Sequence, residues 1–348
     1  MLLVAPATPD LFAIFPSYDS MNFNDIGVVV IGRNEGQRLV DCLASIRAVS
    51  GNIVYVDSAS TDGSATAAKQ IGATVVMLDM GRPFTAARAR NEGFLALKSV
   101  LPDVRLVQFV DGDCVLVQGW MEKAIAFMEQ RKDVAVVCGR RRESHPADSI
   151  YNKLCDLEWD TPVGEAAACG GDSLVQAKAF EEIGGFNPRV MAGEEPELCV
   201  RLRERGWKIW RLDAEMTLHD AAMSRFSQWW IRSIRSGYGF AEVSRLHKAS
   251  PFRIWGRAVP SALFWGALLP ALIVFGSLVY PPFICAALTY PIQVFSIAIR
   301  RGTDQPGTWA YALLMVVGKF AQARGIVRFY WFWLRGRTAQ LIEYKGGV

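Results

Sequence analysis

At 348 residues the chain has room for one sizeable α/β domain and a smaller region beside it. Its formal net charge of +4 is mild and no recognised nucleic-acid module accompanies it, so no nucleic-acid partner is expected. The hydrophobic share of 51% is unevenly spread: residues 258–299 are 42 positions without Asp, Glu, Lys or Arg, where about 20 suffice to cross a bilayer.

Residues 1–23 contain prolines and no periodic pattern. They are expected to form a flexible tail, or an extension upstream of a chain starting at Met21, and they show no signal-peptide pattern. Over residues 24–222 short β-branched runs at 26–31, 53–56, 74–78, 106–110 and 134–137 alternate with helical patterns at about 37–49, 63–71, 85–98 and 120–131. Continuous apolar strands separated by helices indicate a mostly parallel, Rossmann-like sheet covered on both faces, with ligands at the carboxyl ends of its strands. A second stretch follows, with a strand at 173–176, a helix at about 178–183, the turn Gly184-Gly185-Phe186-Asn187-Pro188, a helix at 195–205 stopped by Gly206, and a strand at 208–212.

The seven cysteines are odd in number and form no Cys-x-x-Cys pair, which points to reduced, mostly buried thiols in a cytosolic compartment. Residues 223–257 mix Trp229, Trp230, Tyr238 and Phe240 with arginines and read as amphipathic interface helices. Residues 258–348 read as a membrane region. Pro281 and Pro282 divide its uncharged run into spans at about 258–280 and 282–299. Arg253, Arg257, Arg300 and Arg301 flank the outer ends, which puts both ends of this transmembrane hairpin in the cytoplasm. A third apolar segment at 308–318 is short for a span, and the aromatic segment 326–334 reads as interfacial.

The strongest local signal is Asp111-Gly112-Asp113 directly after a strand. Two carboxylates at i and i+2 on a turn suit a hard divalent cation bridging to a diphosphate, although Asp and Gly are also ordinary turn residues. Asp57 ends the second strand, where a carboxylate accepts hydrogen bonds from a base or ribose, while Asp62 reads as a helix cap. Glu194, Glu195 and Glu197 open a helix, where acids also merely complement the positive helix end.

The blocks Val30-Ile31-Gly32-Arg33-Asn34-Glu35, Val56-Asp57-Ser58-Ala59-Ser60-Thr61-Asp62-Gly63-Ser64, Ala89-Arg90-Asn91-Glu92-Gly93, Val110-Asp111-Gly112-Asp113, Gly184-Gly185-Phe186-Asn187 and Gly193-Glu194-Glu195-Pro196-Glu197-Leu198 stand in one order over about 200 residues. This order resembles glycosyltransferase family 2, with the GT-A fold. The resemblance implies that Asp57 contacts the nucleobase or ribose with Arg33 and Glu35 beside it, and that Arg90 lies near the nucleotide. It implies Asp111 at the ribose and metal, Asp113 as direct ligand of Mg2+ or Mn2+, and His219, after the last strand, as a further metal ligand. Glu195 matches the family's general base, with Glu194 the alternative because Glu-Glu-Pro stands where Glu-Asp is common. Asp172, after Gly170-Gly171, and Trp159 fall where the family faces its acceptor. Gly32-Arg33 replaces a frequent proline and tyrosine, and Gln228-Trp229-Trp230-Ile231-Arg232 lacks the spacing of the processive motif.

The expected protein is an inverting transferase at the inner (cytoplasmic) membrane, with its catalytic domain facing the cytoplasm. It takes a UDP- or GDP-sugar and a lipid-linked or other membrane-proximal glycan acceptor, in cell-envelope or exopolysaccharide synthesis. A noncatalytic nucleotide-binding membrane scaffold is the alternative, disfavoured because a scaffold needs neither metal ligands nor a base. A transporter is disfavoured because the apolar segments hold no charge at mid-membrane depth.

Overall fold

The computed structural model describes residues 24–82 and 84–336, so the tail expected over 1–23 lies outside the described residues. The first strand, β1 (Ile26–Gly32), is apolar and buried along nearly its whole length, as a central parallel strand must be. After α1 (Gln37–Arg47), β2 (Ile53–Asp57) pairs with β1 in parallel, and after α2 (Ser64–Ile71), β3 (Thr74–Met77) adds to β2. Helix α3 (Ala86–Val100) crosses back over the sheet and β4 (Leu106–Asp111) pairs with the other side of β1. Two glycines allow the crossing: a Cβ on Gly93 would lie 2.4 Å from Val29 Cγ1, and one on Gly27 would lie 2.4 Å from Leu97 Cδ1.

Beyond β4 the sheet is mixed. The short β5 (Cys114–Leu116), α4 (Trp120–Gln130), β6 (Val134–Glu143), α5 (Ile150–Glu158) and β7 (Gly164–Ala166) precede β8 (Ser173–Gln176). Then come α6 (Ala177–Glu182), α7 (Glu194–Glu204) and the long β9 (Lys208–His219). The strand order is β3-β2-β1-β4-β8-β6-β9-β5, with β7 also on β9. β8 runs antiparallel to both β4 and β6, so the mostly parallel pairing expected from the sequence holds through β1–β4 and returns only between β6 and β9. Two cores flank the sheet, one under α1 and α4 around Leu43 and Trp120, the other under α3 and α7 around Phe109, Phe180 and Leu198. Burying each such aliphatic or aromatic side chain contributes about 1.5–3 kcal/mol.

The C-terminal region is built on α8 (Phe226–Leu246), followed by α9 (Ala258–Leu263), a π-helical turn, α10 (Leu269–Val279), a 3₁₀ stretch (Pro281–Leu288), α11 (Thr289–Arg301) and α12 (Thr308–Leu334). Among the described residues, three stretches are long and apolar enough to cross a membrane: Ala258–Val279, Pro281–Arg301 and Thr308–Leu334. The first two form the expected hairpin and expose Leu272, Phe275, Leu278, Ile284, Leu288 and Ile292. The segments read separately at 308–318 and 326–334 are one continuous helix, α12.

Lys319 lies near the middle of that helix, one residue beyond the uncharged segment read at 308–318. Helix α12 differs from the hairpin in its surroundings: 44% of its most apolar window is buried in the protein, against 11% and 6% for the other two. Its partner is α8, and the two backbones touch. A Cβ on Gly237 would lie 2.1 Å from the Gln322 carbonyl oxygen, and one on Gly325 would lie 2.0 Å from that of Ile234. Glycine at both contacts is the small-residue packing that lets helices approach this closely.

Helix α8 also reaches the sheet domain. Met191 N donates to Glu242 Oε2 at 2.9 Å, and a Cβ on Gly239 would lie 2.8 Å from the Ala192 carbonyl oxygen. Burial pushes the Glu242 carboxyl up to about 7. The folded state therefore holds this proton more tightly than the unfolded chain, and stability falls as pH rises from the ordinary carboxylate range through about 7. Glu242→Gln keeps an acceptor for the Met191 amide and removes the ionisation. Thermal unfolding of the variant in detergent is expected to show a gain of a few degrees that grows from pH 5 to pH 8 and levels off above about 7.

Candidate active site

Strands β1, β2 and β4 end in register. Gly32 lies beside Asp57, and Ile31 beside Asp111, so the carboxylates expected at the strand ends share one edge. The turn after β4 is held against β1 by Gly112 N donating to Ile31 O at 2.8 Å, with space at Gly112 for no more than a glycine (a Cβ would lie 3.1 Å from that oxygen). The chain then enters β5, which pairs antiparallel with the end of β9 and sets Cys114 opposite His219. That register brings the His219 ring to Asp113, with Nε2 to Oδ2 at 3.1 Å.

His219 is buried, and burial, aided by the nearby Arg141 cation, pushes its pKa down to about 4. At neutral pH the ring is thus uncharged, the form that binds a metal. Its Nδ1 is buried without a hydrogen-bond partner. One donor atom each from Asp113, Cys114 and His219 lies within 4.8 Å of the others. The Asp113–His219 separation is close to that between neighbouring ligands of an octahedral ion held at about 2.1 Å, and a carboxylate with a neutral imidazole suits manganese. The residues therefore fit a divalent cation. Trp159 packs its ring on His219 at 4.6 Å between centroids, in an edge-on arrangement.

A second group centres on Arg90, near the N-terminus of α3 and 2% exposed. Its Nη2 lies 2.7 Å from Asp111 Oδ1, and its Nη1 lies 3.1 Å from Glu194 Oε1 and 2.9 Å from Glu195 Oε1. Burial opposes the charge on this guanidinium, but the three carboxylates outweigh it and hold Arg90 protonated. Glu194 and Glu195 begin α7 after Gly193, whose φ of 85° is the left-handed geometry that favours glycine. Burial and the neighbouring Glu194 push the Glu195 carboxyl up to about 7, against the pull of Arg90. Gly171 fills the centre of the group: a Cβ there would lie 2.6 Å from Arg90 Nη2, 2.8 Å from Asp111 Oδ2 and 3.1 Å from Glu195 Oε1. Glu197 is turned away, paired with Arg201 at 2.6 Å and His247 at 3.2 Å.

Asp172 connects the two groups from beneath. It is fully buried, its Oδ1 accepts from Asp111 N at 3.0 Å, and its Oδ2 accepts from Thr217 Oγ1 at 2.8 Å and pairs with Arg141 Nε at 3.0 Å. The expectation that this carboxylate faces the acceptor is therefore corrected, because both oxygens are engaged inside the protein. Arg141 and Thr217, which the sequence reading missed, complete this layer, and Arg141 also lies over the Trp159 ring at 5.6 Å. The available signal was the run Arg140-Arg141-Arg142 at the end of a buried strand, in which Arg140 is buried beside Asp156 and Arg141 reaches Asp172.

Arg33 and Glu35 stand on the loop after β1, and Asp57 ends β2 just before the next loop. These loops are joined by Asn34 N donating to Ser60 Oγ at 2.9 Å and Thr61 N donating to Asn34 Oδ1 at 2.8 Å. Asp57 accepts from Tyr55 OH at 2.9 Å and from Ser60 N at 2.8 Å. Arg33 is exposed and lies over the Phe84 ring at 4.9 Å. Glu35 pairs with Arg38 at 2.7 Å and lies against the Asp111–Asp113 turn, its Cγ 3.4 Å from where a Gly112 Cβ would be.

Residues 27–165 match the sequence profile described as Glycosyl transferase family 2. The pre-mycofactocin glycosyltransferase of Mycobacterium tuberculosis is 25% identical over 253 residues, which are 68% of this chain and 51% of that protein. The chain thus spans about half the length of this relative. The glycosyltransferase AglE of Haloferax volcanii is 20% identical over 247 residues, 67% of this chain and 79% of its own. Among solved structures, the mannosyltransferase PcManGT from Pyrobaculum calidifontis, in complex with GDP-Man and Mn2+, superposes with a TM-score of 0.59 at 18% identity, covering 88% of this chain and 87% of that one. The fold is GT-A. Residues 27–165, which hold β1 to β6 and the Asp111–Asp113 turn, are thus similar to glycosyl transferase family 2.

Proposed function

We propose that the protein transfers a sugar, with inversion, from a nucleoside-diphosphate sugar to a hydroxyl of a lipid-linked or membrane-proximal glycan acceptor. One observation carries the reading: a single buried guanidinium, Arg90, binds Asp111 on the donor side and Glu195 on the other, with only Gly171 between them. In this assignment Asp57, Arg33 and Glu35 form the base and ribose side of the donor cleft, and Arg90 sets the spacing between donor and base. Asp113 and His219, with Asp111 beside them, would hold Mg2+ or Mn2+. When bound, that ion would neutralise charge developing on the leaving diphosphate.

Glu195 takes the proton of the acceptor hydroxyl as its oxygen forms the new bond to the anomeric carbon and the bond to the diphosphate breaks. A carboxyl raised to about 7 is well matched to this general-base task, with Glu194 as its paired neighbour. Trp159 offers an apolar ring beside the acceptor space, and Asp172 acts as a positioning residue under Asp111. The GDP-Man in PcManGT supports a nucleotide-sugar donor. The exposed apolar hairpin supports attachment to a bilayer. The arginines flanking it support an inner-membrane location with the catalytic domain in the cytoplasm, which suits envelope or exopolysaccharide glycan synthesis.

A screen of UDP- and GDP-sugars for manganese-dependent binding and hydrolysis tests the activity itself, and silence from every donor would remove the reading. Asp113→Asn and His219→Ala are expected to weaken Mn2+ binding at least about tenfold, measured by EPR titration of free manganese. Glu195→Gln is expected to lower transfer by about 10²–10⁴-fold and leave donor affinity intact, so normal turnover in that variant would discard the base assignment. Because the base must be deprotonated, wild-type kcat/KM at saturating metal should rise with pH and level off above about 7. Gly171→Ala should separate Arg90 from Asp111, lowering donor affinity in calorimetry with Asp113 and His219 untouched.

A further inference from the structure

Where α12 meets the hairpin, a cavity of about 270 Å³ lies among Ser261, Trp265, Gln293, Ile297, Lys319 and Gln322. These residues come from the start of the first hairpin arm, the end of the second, and α12, so the cavity lies at the arginine-flanked end of the hairpin. Tyr311 also lines it and carries the Arg301 guanidinium over its ring at 4.3 Å. Lys319 is half-buried, and its backbone packs closely on the first hairpin arm, its carbonyl oxygen lying 2.1 Å from where a Cβ on Gly266 would be.

Two polar groups at this cavity lack partners among the described residues. No carboxylate pairs with the Lys319 ammonium, and Gln322 Oε1 is buried without a hydrogen-bond donor. An ammonium among apolar helices without a counter-ion is costly, and a buried acceptor without a donor costs about 1–3 kcal/mol. Water would satisfy the amide but leave the charge uncompensated. A group carrying both a negative charge and a hydroxyl would satisfy both. The remaining walls, Trp265, Ile297 and Met315, are apolar and suit what adjoins such a group in a lipid.

We infer that this cavity binds the phosphate head of an anionic, hydroxyl-bearing membrane lipid, with Lys319 on the phosphate and Gln322 on a hydroxyl. The inference does not depend on sugar transfer. It is tested by native mass spectrometry of the full chain in detergent, titrated with dioleoyl phosphatidylglycerol, dioleoyl phosphatidylcholine or inorganic phosphate. The wild type is expected to retain one phosphatidylglycerol with about tenfold preference over phosphatidylcholine, and millimolar phosphate should not displace it. Lys319→Gln should erase that preference and Lys319→Arg should restore it. Gln322→Leu, which leaves the charge in place, should weaken phosphatidylglycerol about threefold and keeps the test decisive if Lys319→Gln fails to fold. Wild-type-like lipid retention by both Lys319→Gln and Gln322→Leu, or displacement by phosphate, would overturn the assignment.

Discussion

The buried charge of Arg90 is the constraint around which the sheet domain is arranged. A guanidinium removed from water is tolerated only when carboxylates meet it in good geometry, and leaving one such charge unpaired costs about 3–5 kcal/mol. Here Asp111, Glu194 and Glu195 meet it. They come from the end of β4 and the start of α7, elements separated by about eighty residues, so the ion group ties the parallel half of the sheet to the later helix. Asp172 and Arg141 repeat the device one layer down, where a fully buried carboxylate receives both a guanidinium and the Asp111 amide. Each layer makes sense only with the other present, because Asp111 belongs to both.

The second organising contact is mechanical. Helices α8 and α12 meet backbone to backbone at Gly237 and Gly325, and Trp229 on α8 packs with Leu154 and Leu314, joining α5 to α12. The apolar hairpin is therefore mounted on a helix pair that is continuous with the sheet domain. Lys319 sits in that pair because α12 is half a packing helix, with one face shielded by protein where a free span would face lipid throughout.

Much of this was legible in the sequence, and the reason is locality. β1 and β2 are unbroken apolar runs and β4 is interrupted only by the buried Gln108, so the place of Asp57 and Asp111 at the strand ends is readable from spacing alone. What stayed hidden depends on pairing between distant residues. β5 and β7 are three residues long and carry no period to detect. The contact of His219 with Asp113 follows from the β5–β9 register, and the burial of Asp172 from partners on β6 and β9. Asp172 lies in the stretch that resembles the family's acceptor-facing segment, while the fold closes over it. Helix α12 was divided in two because Lys319 and Arg324 interrupt its apolar pattern, although neither breaks a helix.

The short segment between Asn187 and Gly193 rests on α8, through Glu242 and the Gly239 contact, and runs directly into Glu194 and Glu195. The Trp255 ring, from the chain between α8 and α9, closes over Gly193 (a Cβ there would lie 2.9 Å from it). A fragment ending near residue 222 would remove the floor beneath these glutamates together with the apolar helices, so the geometry around Arg90 depends on the C-terminal half as much as on the sheet.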